Sequence, residues 1–237
     1  MNWNGQVSMR GAWPGSVTLR SGWWKASARP LHDDSDEAAI RADRASAEFL
    51  TRCAQTLVDL GARTVHSPPL MRGTDRMYRT AGFLPHVELA LLEADLRTGP
   101  REPVDVHLAD PVERERAIEI DRMAFTEDWR VGRLGLADAM AATPDSVMLF
   151  SDHGPGFAIV GISTDIAYLQ RLAVDPGEQG RGTGRSLLRG SMAWARRRGA
   201  RTMLLNTQTD NERALVLYRS ESFVVLPSRL TIFRFTS

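Results

Sequence analysis

The sequence predicts an α/β protein in which helices flank a β-sheet. The apolar run 166–174 is typical of a buried strand, and a glycine-rich turn over 177–184 leads from it into a helix. The runs 146–151 and 157–163 are separated by a short glycine-proline turn and indicate a hairpin. The apolar residues of the helix after the glycine-rich turn share one face: Leu187, Leu188, Met192 and Ala195.

Toward the N-terminus, the runs 17–19 and 22–25 predict strand fragments. A long helix is expected to begin near the acidic stretch 34–37, without a glycine-rich turn in front of it. The chain has a single cysteine, Cys53, which excludes an internal disulfide and favours a buried structural thiol over a nucleophile. The expected apolar stripe of the helix is Leu50, Cys53, Leu57 and Leu60.

Helix-start signals are clearer in the C-terminal part. Asp110 is expected to cap a helix whose first residue is Pro111. A second helix is predicted over 134–142. The stretch 209–212 has the pattern of a capping box, and it begins the helix that bears Tyr218.

Composition narrows the class of protein. With 30 basic and 29 acidic residues, the net charge of +1 gives no argument for binding to nucleic acid or to a membrane surface. No apolar run approaches the roughly 20 residues that a membrane-spanning helix needs. Since the N-terminal stretch is polar and lacks a signal-peptide core, we expect a soluble, cytoplasmic protein.

Short blocks of sequence recur in the two halves of the chain. The motif Gly-Ala-Arg-Thr occurs at 61–64 and at 199–202, and a Tyr-Arg pair precedes Phe83 and also Phe223. We therefore predict a tandem repeat of one helix–strand pattern. Glycine and prolines mark a linker between the halves. The predicted domains are residues 1–97, without a glycine loop, a linker at 98–103, and residues 104–237 with the glycine loop.

The glycine-rich turn has the character of a phosphate site. Four glycines fall within 177–184, directly before a helix, so backbone N–H groups and the helix dipole can face an anion. A P-loop would need a lysine where Thr183 stands, and the chain has only Lys25. The dinucleotide pattern would need glycine where Arg185 stands. Neither of these two patterns fits.

The run 179–184 instead matches the Q/R-x-x-G-x-G/A motif of the GNAT acyltransferases, which bind acetyl-CoA. The resemblance continues in the preceding strand and in the run 211–218, which is similar to the family's N-x-x-A-x-x-L-Y signature. It covers about residues 104–237. It implies a mixed, mostly antiparallel twisted sheet flanked by helices, and a smaller, degenerate N-terminal half.

The resemblance also implies how acetyl-CoA would be held. Amides of the glycine loop would bind the pyrophosphate, and the backbone of the preceding strand would pair with the pantetheine arm. Arginines in the loop would add charge to phosphate oxygens, and Asn211 matches a family position that contacts CoA. The cofactor-binding residues implied are Leu172, Ala173, Val174, Gln179, Gly180, Arg181, Gly182, Thr183, Gly184, Arg185 and Asn211.

By the same resemblance, Tyr218 would protonate the departing thiolate. The general base is open, because Tyr168 and Asn206 stand where many family members carry a glutamate. The remaining candidates are Glu127 and Asp128, between the first two helices of this half, and Asp165. Two adjacent carboxylates at 127–128 suit a cationic amine or its proton, and solvated loop residues are the alternative.

The expected function is transfer of an acetyl group from acetyl-CoA to a small-molecule or peptide amine. A homodimer is left open, and no metal is expected. Two alternatives stay open: a non-catalytic acyl-CoA-binding protein, and a transferase for longer acyl groups.

Overall fold

A computed structural model describes residues 6–98 and 105–236. Thirteen strands are assigned: β1 (Ser8–Arg10), β2 (Val17–Ser21), β3 (Trp24–Pro30), β4 (Glu37–Arg44), β5 (Thr64–His66), β6 (Leu70–Met71), β7 (Leu84–Asp95), β8 (Val106–Leu108), β9 (Asp145–Ser151), β10 (Gly156–Ser163), β11 (Ile166–Val174), β12 (Thr202–Gln208) and β13 (Val224–Phe235). The helices are α1 (Ala47–Asp59), α2 (Arg76–Thr80), α3 (Pro111–Ala124), α4 (Gly132–Ala141), α5 (Thr183–Arg197) and α6 (Glu212–Ser220).

The chain forms two compact units that are not simple halves of the sequence. Unit 1 contains the chain up to Leu89 and also the segment from Ser228 onward, whereas unit 2 runs from Ala90 to Pro227. Residues 99–104 of the predicted linker lie outside the described residues. The predicted bounds 1–97 and 104–237 therefore stay a prediction.

In unit 1 the strands β1 to β5 follow one another in the sheet, and β13 lies beside β5. The strands β4 and β5 run parallel and pair only over three residues, Glu37 to Ala39 with Thr64 to His66. Helix α1 packs its buried residues Phe49, Leu50, Cys53, Ala54 and Leu57 into the core of the unit. Burial raises the pKa of the Cys53 thiol to about 12, which agrees with the predicted structural role.

The predicted start of the first helix at 34–37 is wrong. Glu37–Arg44 forms strand β4, because Ala38 and Ile40 are buried and alternate with more exposed neighbours, the period of a strand. The helix begins at Ala47, where the side chain of Ser46 accepts a hydrogen bond from the N–H of Phe49. Leu60 lies beyond the helix and is 43% exposed, so it does not belong to the predicted stripe.

In unit 2 the sheet order is β7, β12, β11, β10, β9, β8. Most pairs are antiparallel, and β11 with β12 is parallel. Buried residues of α3 and α4 form one core cluster with β9 and β10, while α5 and α6 pack into another. The predicted fold class is confirmed: a mixed, mostly antiparallel sheet with flanking helices.

The predicted elements of unit 2 agree closely with the structure. The predicted strand 166–174 coincides with β11, and the hairpin and the helix after the glycine loop are present. Asp110 forms a complete capping box with Glu113. The capping box expected over 209–212 is wrong, because Asn211 is the cap and its side-chain oxygen accepts from the N–H of Ala214 at 3.2 Å.

The same local contacts occur within each unit. Left-handed glycines follow α1 and α5, with φ of 102° at Gly61 and 87° at Gly199. Two residues later, the N–H of Arg63 or Arg201 donates to the carbonyl of the aspartate that precedes the parallel strand, at 2.8 Å in both units. The aspartates are Asp36 and Asp165. The two units therefore share one pattern of helix end, strand and strand pairing.

No helix among the described residues has the length and apolar character to cross a membrane.

Candidate active site

The site in unit 2 begins where β11 and β12 separate. Their pairing covers Ile166 to Tyr168 with Thr202 to Leu204, although β11 continues to Val174. Against β10, the register shifts so that Ile159 faces Arg171 while Val160 faces Leu169. The one extra residue on β11 is a bulge, which bends the strand. The last part of β11 therefore has no strand pairing on the side of β12.

The bulge also decides which side chains of β11 face each helical layer. Leu169 and Val174 belong to the core cluster under α5, although five positions separate them. Without the bulge, an odd separation would place them on opposite faces of the strand. Ala173 belongs to the cluster under α3 and α4 instead. Arg171 therefore faces α3 rather than α5.

The glycine loop joins β11 to α5. After β11, Asp175 accepts a hydrogen bond from the N–H of Gly177 at 2.8 Å, and Pro176–Glu178 forms a single 3₁₀ turn. Gly180 and Gly182 then adopt left-handed conformations, with φ of 82° and 95°. A Cβ atom at either position would meet nothing within 4 Å, so glycine is required there for its backbone conformation and not for space.

The loop presents the start of α5 without a side-chain cap. Gly182 is the N-cap residue and supplies no side-chain acceptor to the first N–H groups of the 15-residue helix. These amides have no partner within the helix, and the helix dipole is positive at this end. The hydroxyl of Thr183 is buried and has no hydrogen-bond partner among the described residues. An anion is the chemical group that this arrangement suits.

Gln179 fastens the loop on both sides. Its amide nitrogen donates to the carbonyl of Val174 at 3.1 Å, at the end of β11. Its side-chain oxygen accepts a hydrogen bond from Arg213 of α6. The side chain therefore fixes the loop relative to both the strand and the helix that carries Tyr218.

The two loop arginines are paired with carboxylates. Arg181 lies 3.1 Å from Glu178, and Arg185 lies 2.9 Å from the buried carboxylate of Glu221. Asn211, as described above, caps α6 and also donates to Gln208 at 3.3 Å. The structure thus gives all three side chains a local partner within unit 2.

Tyr218 lies on the inner face of α6. It is 7% exposed, and its ring packs on Phe223 with 5.8 Å between ring centroids. Burial raises the pKa of Tyr218 to about 12, and the positive charge of Arg171 acts in the opposite direction. The phenol therefore holds its proton at neutral pH.

Sequence reasoning missed a buried ion pair beside this site. The Nε of Arg171 donates to Asp121 at 2.7 Å, and the side chains are 14% and 1% exposed. Burial lowers the pKa of the Arg171 guanidinium, while Asp121 opposes that shift. An arginine inside the largely apolar strand β11 was the available signal. Its partner lies 50 positions away and could not be named from local pattern.

Glu127 and Asp128 are exposed in a 3₁₀ turn between α3 and α4. The next residue, Trp129, accepts a hydrogen bond through its carbonyl from Arg171 at 2.7 Å. The two predicted carboxylates are therefore connected to β11 through the backbone of their own turn. Asp165, the other predicted base, precedes the first residue of β11 and so lies at the opposite end of that strand from the loop. Within the described residues, no cluster of metal-binding side chains is present.

Comparisons with known proteins agree with this geometry. The Acetyltransferase (GNAT) family profile matches residues 146–223. The N-alpha-acetyltransferase RimI of Mycobacterium tuberculosis is 30% identical over 135 residues, which cover 53% of this chain and 82% of RimI. An uncharacterized protein of Mycobacterium leprae is 30% identical over 152 residues, 59% of this chain. The match covers 40% of that longer protein.

Solved structures with low sequence identity show the same fold. A tandem GNAT protein from the clavulanic acid biosynthesis pathway superimposes with a TM-score of 0.58 at 13% identity, covering 97% of this chain and 83% of its own. A GCN5-related N-acetyltransferase from Sphaerobacter thermophilus gives 0.52 at 18% identity, covering 94% and 81%. With the RimI match and the family profile, the conclusion is direct: the chain belongs to the GNAT acetyltransferase family.

Proposed function

We propose that this protein transfers an acetyl group from acetyl-CoA to a primary amine, directly, within a ternary complex. The observation that carries the proposal is the glycine loop at the uncapped start of α5, directly after a strand whose edge opens away from its neighbour. The first feature suits a pyrophosphate, and the second suits an extended amide-containing arm. Both belong to unit 2.

The residues present fit acetyl-CoA. Amides of Gln179, Gly180, Arg181, Gly182, Thr183, Gly184 and Arg185 would hold the pyrophosphate, and the buried, unpartnered hydroxyl of Thr183 supports a polar ligand at this point. The backbone of Leu172, Ala173 and Val174 would pair with the pantetheine arm. Arg181 and Arg185 would have to share their present carboxylate partners with phosphate oxygens. Asn211 caps α6, and we propose that it contributes to the site by positioning that helix.

When bound, acetyl-CoA supplies an activated thioester. A backbone N–H near Val174 would donate to the carbonyl oxygen, which needs no side chain. Tyr218 would hold a proton on its Oη and release it toward the leaving sulfur. Its pKa of about 12 means that the hydroxyl is protonated at neutral pH. These roles place the acid and the amide donors on α6 and β11, which Gln179 fastens to the same loop.

For the acceptor we propose a peptide α-amine. The similarity to RimI, an N-alpha-acetyltransferase, supports this choice, and RimI matches the part of the chain that carries the site. Glu127 and Asp128 would attract the cationic amine and accept its proton, because both are exposed and no described residue pairs with their side chains. A small-molecule amine is the alternative acceptor.

We propose that unit 1 is a degenerate copy without transferase activity. Only Ala45 and Ser46 separate β4 from α1, so no glycine loop fits between them. The strand pairing that opens after three residues is nevertheless retained in both units. The resemblance of the whole chain to a tandem GNAT structure supports this interpretation.

The test is a turnover assay with acetyl-CoA and a panel of amines, in which free thiol and acetylated product are both measured. The panel includes a short peptide with a free α-amine and the same peptide with a blocked N-terminus. Tyr218→Phe is expected to lower kcat by about 100-fold or more, the usual contribution of a general acid. Tyr78→Phe, the matched change in unit 1, is expected to leave turnover unchanged.

A second function is favoured by one observation. No carboxylate of β11 or β12 lies at the site, where Tyr168 and Asn206 occupy the positions of the family's usual base. A non-catalytic acyl-CoA-binding protein would need no carboxylate to act as a general base. Tight binding of acetyl-CoA without turnover on any amine would establish that function and refute the transferase, whereas turnover only with longer acyl-CoA would redefine its donor.

A further inference from the structure

The loop between α3 and α4, residues 125–131, is attached to the sheet through one guanidinium. Arg171 of β11 donates to the carbonyl of Trp129 at 2.7 Å, and its guanidinium carbon lies 3.6 Å above the ring centroid of Phe125. The same group donates to Asp121, at 2.7 Å. The Arg171 side chain thus contacts the loop near both of its ends, at the ring of Phe125 and at the carbonyl of Trp129.

Asp121 completes the attachment from the helix side. One of its carboxylate oxygens binds Arg171, and the other accepts the N–H of Val131 at 3.0 Å, the last residue before α4. The carboxylate is 1% exposed. Both carboxylate oxygens of Asp121 are therefore engaged, and the loop is contacted at Phe125, Trp129 and Val131.

A buried ion pair of this kind contributes little net stability to a fold. Removing two charges from water costs about as much as their attraction returns, and well-packed apolar residues often stabilise a core equally well. The pair instead fixes geometry, because the donors of a planar guanidinium hold several acceptors at defined positions in one plane. Among the contacted residues, Trp129 belongs to the turn that carries Glu127 and Asp128.

We propose that Arg171 is a positioning residue for the amine acceptor, holding the Glu127–Trp129 turn at a fixed place beside the end of β11. The inference rests on the proposed function, since it assigns the turn to the acceptor. Arg171 would not touch the amine itself, because its charge is directed to Asp121 and its second donor to a backbone carbonyl. Its charge also lowers the pKa of Tyr218, whereas the loop that we assign to acetyl-CoA would be unaffected.

The experiment compares Arg171→Met and Arg171→Lys with a matched control, Arg133→Met. Arg133 also joins α4 to α3, through Glu115 at 2.6 Å, but this pair is about 60% exposed. Three quantities are measured on the full chain: kcat/KM for the short peptide with a free α-amine, the calorimetric Kd of acetyl-CoA, and hydrogen exchange of peptides that cover 125–131.

For Arg171→Met we expect faster exchange of 125–131 and a loss of about 100-fold in kcat/KM for the peptide, the size that a misplacement of about 1 Å can produce. The Kd of acetyl-CoA should stay within about twofold, which a general loss of structure would not allow. Arg171→Lys should give a smaller loss, because lysine keeps the charge beside Asp121 but cannot also stack on Phe125. It serves as the test variant if the methionine variant does not fold. Arg133→Met should change none of the three quantities.

Unchanged exchange and unchanged kcat/KM in both Arg171 variants would overturn the inference. A Kd for acetyl-CoA that rises in parallel with the loss of turnover would also overturn it, because Arg171 would then support the whole unit. A wild-type protein that binds acetyl-CoA but acetylates no amine refutes the proposed function and this inference together. If the wild type is active and Arg171→Met retains that activity, this inference alone is refuted.

Discussion

The hydroxyl of Tyr78 accepts a hydrogen bond from the backbone N–H of Ala42 at 3.3 Å and lies 3.5 Å from the carbonyl of Ile40, so it bridges two backbone groups of β4. Both groups follow the point where β4 stops pairing with β5. Tyr218 lies at the corresponding position on α6. Within the described part of the chain, its hydroxyl forms no such bridge to β11. In unit 1 a tyrosine thus occupies the unpaired edge of β4, whereas in unit 2 the corresponding edge of β11 is left open.

The first prediction concerns this bridge. Tyr78 is 3% exposed, so Tyr78→Phe removes a buried hydrogen-bonding partner without removing the ring that packs on Phe83. The N–H of Ala42 would lose its acceptor, and the free energy of unfolding should fall by about 1–2 kcal/mol. Urea unfolding measures the loss. A variant as stable as the wild type would show that water replaces the hydroxyl and that the bridge contributes nothing.

The second prediction tests the phosphate loop through its charge. Gly182 has a left-handed backbone, which Asn and Asp tolerate better than other residues with a side chain. Gly182→Asp and Gly182→Asn therefore carry a similar backbone cost and differ in charge. If amides of this loop hold a pyrophosphate, the Asp variant should bind acetyl-CoA about tenfold or more weakly than the Asn variant, since about 1.4 kcal/mol of repulsion corresponds to a factor of ten.

Calorimetry with acetyl-CoA on both variants decides the second prediction, and circular dichroism confirms that both are folded. Equal dissociation constants would place the phosphate elsewhere. The open space around the Gly182 Cβ position makes a steric explanation of any difference unnecessary, since nothing lies within 4 Å of it.

The third prediction follows from the titration of Tyr218. Burial raises its pKa in the folded protein to about 12, from the ordinary value of 10. A group whose folded pKa is raised contributes stability that is fully present below the unfolded pKa and is lost as the pH rises toward the folded pKa. Between pH 10 and 12, Tyr218 should therefore lower the free energy of unfolding, and below pH 10 it should have no pH-dependent effect.

The matched comparison is Tyr218→Phe, which lacks the ionisable hydroxyl. Denaturant unfolding of the two proteins at pH 9, 10 and 11 should give a stability difference that changes only above pH 10. In parallel, ultraviolet absorbance should show tyrosinate formation from Tyr218 only as the pH approaches 12. A tyrosinate signal from Tyr218 near pH 9 would mean that its hydroxyl reaches water, and the proposed acid would then need a different explanation.

The strand, the loop and the helix of the phosphate site could be predicted because their signals are local. An apolar run, closely spaced glycines and an amphipathic period each fall within a few residues. Local signals also explain the wrong helix prediction at β4, because its alanines, arginines and acidic residues favour helices and only burial reveals the alternation.

What could not be predicted depends on residues that are distant in sequence. Ser67 accepts a hydrogen bond from the N–H of Phe233, 166 positions later, which places the last strand in unit 1. Likewise the Arg171–Asp121 pair joins residues 50 positions apart. A single sequence carries no signal for such pairings, because either partner alone resembles an ordinary surface or strand residue.

The last prediction concerns His107, which joins β8 to two acidic side chains. Its ring nitrogens lie 2.8 Å from Glu113 and 2.5 Å from Asp152. The hydrogen bond to Glu113, followed by that to Asp152, raises the pKa of His107 above its ordinary value of 6.5. The protonated imidazole should therefore stabilise the folded protein below pH 6.5, and this contribution should disappear as the pH rises through the raised pKa. Because the ring is 45% exposed, we expect only about 0.5 kcal/mol.

His107→Gln is expected to lower the Tm more at pH 5.5 than at pH 8.5, as measured by calorimetry in low salt. His153→Gln is the matched control, since His153 is similarly exposed and has a single carboxylate partner, Asp105 at 2.7 Å. This variant controls for the removal of an exposed histidine ring beside a carboxylate. High salt should reduce the loss in His107→Gln, since exposed ion pairs are screened. A Tm difference for His107→Gln that is the same at both pH values would show that the ring acts through hydrogen bonds of its neutral form, and not through its charge.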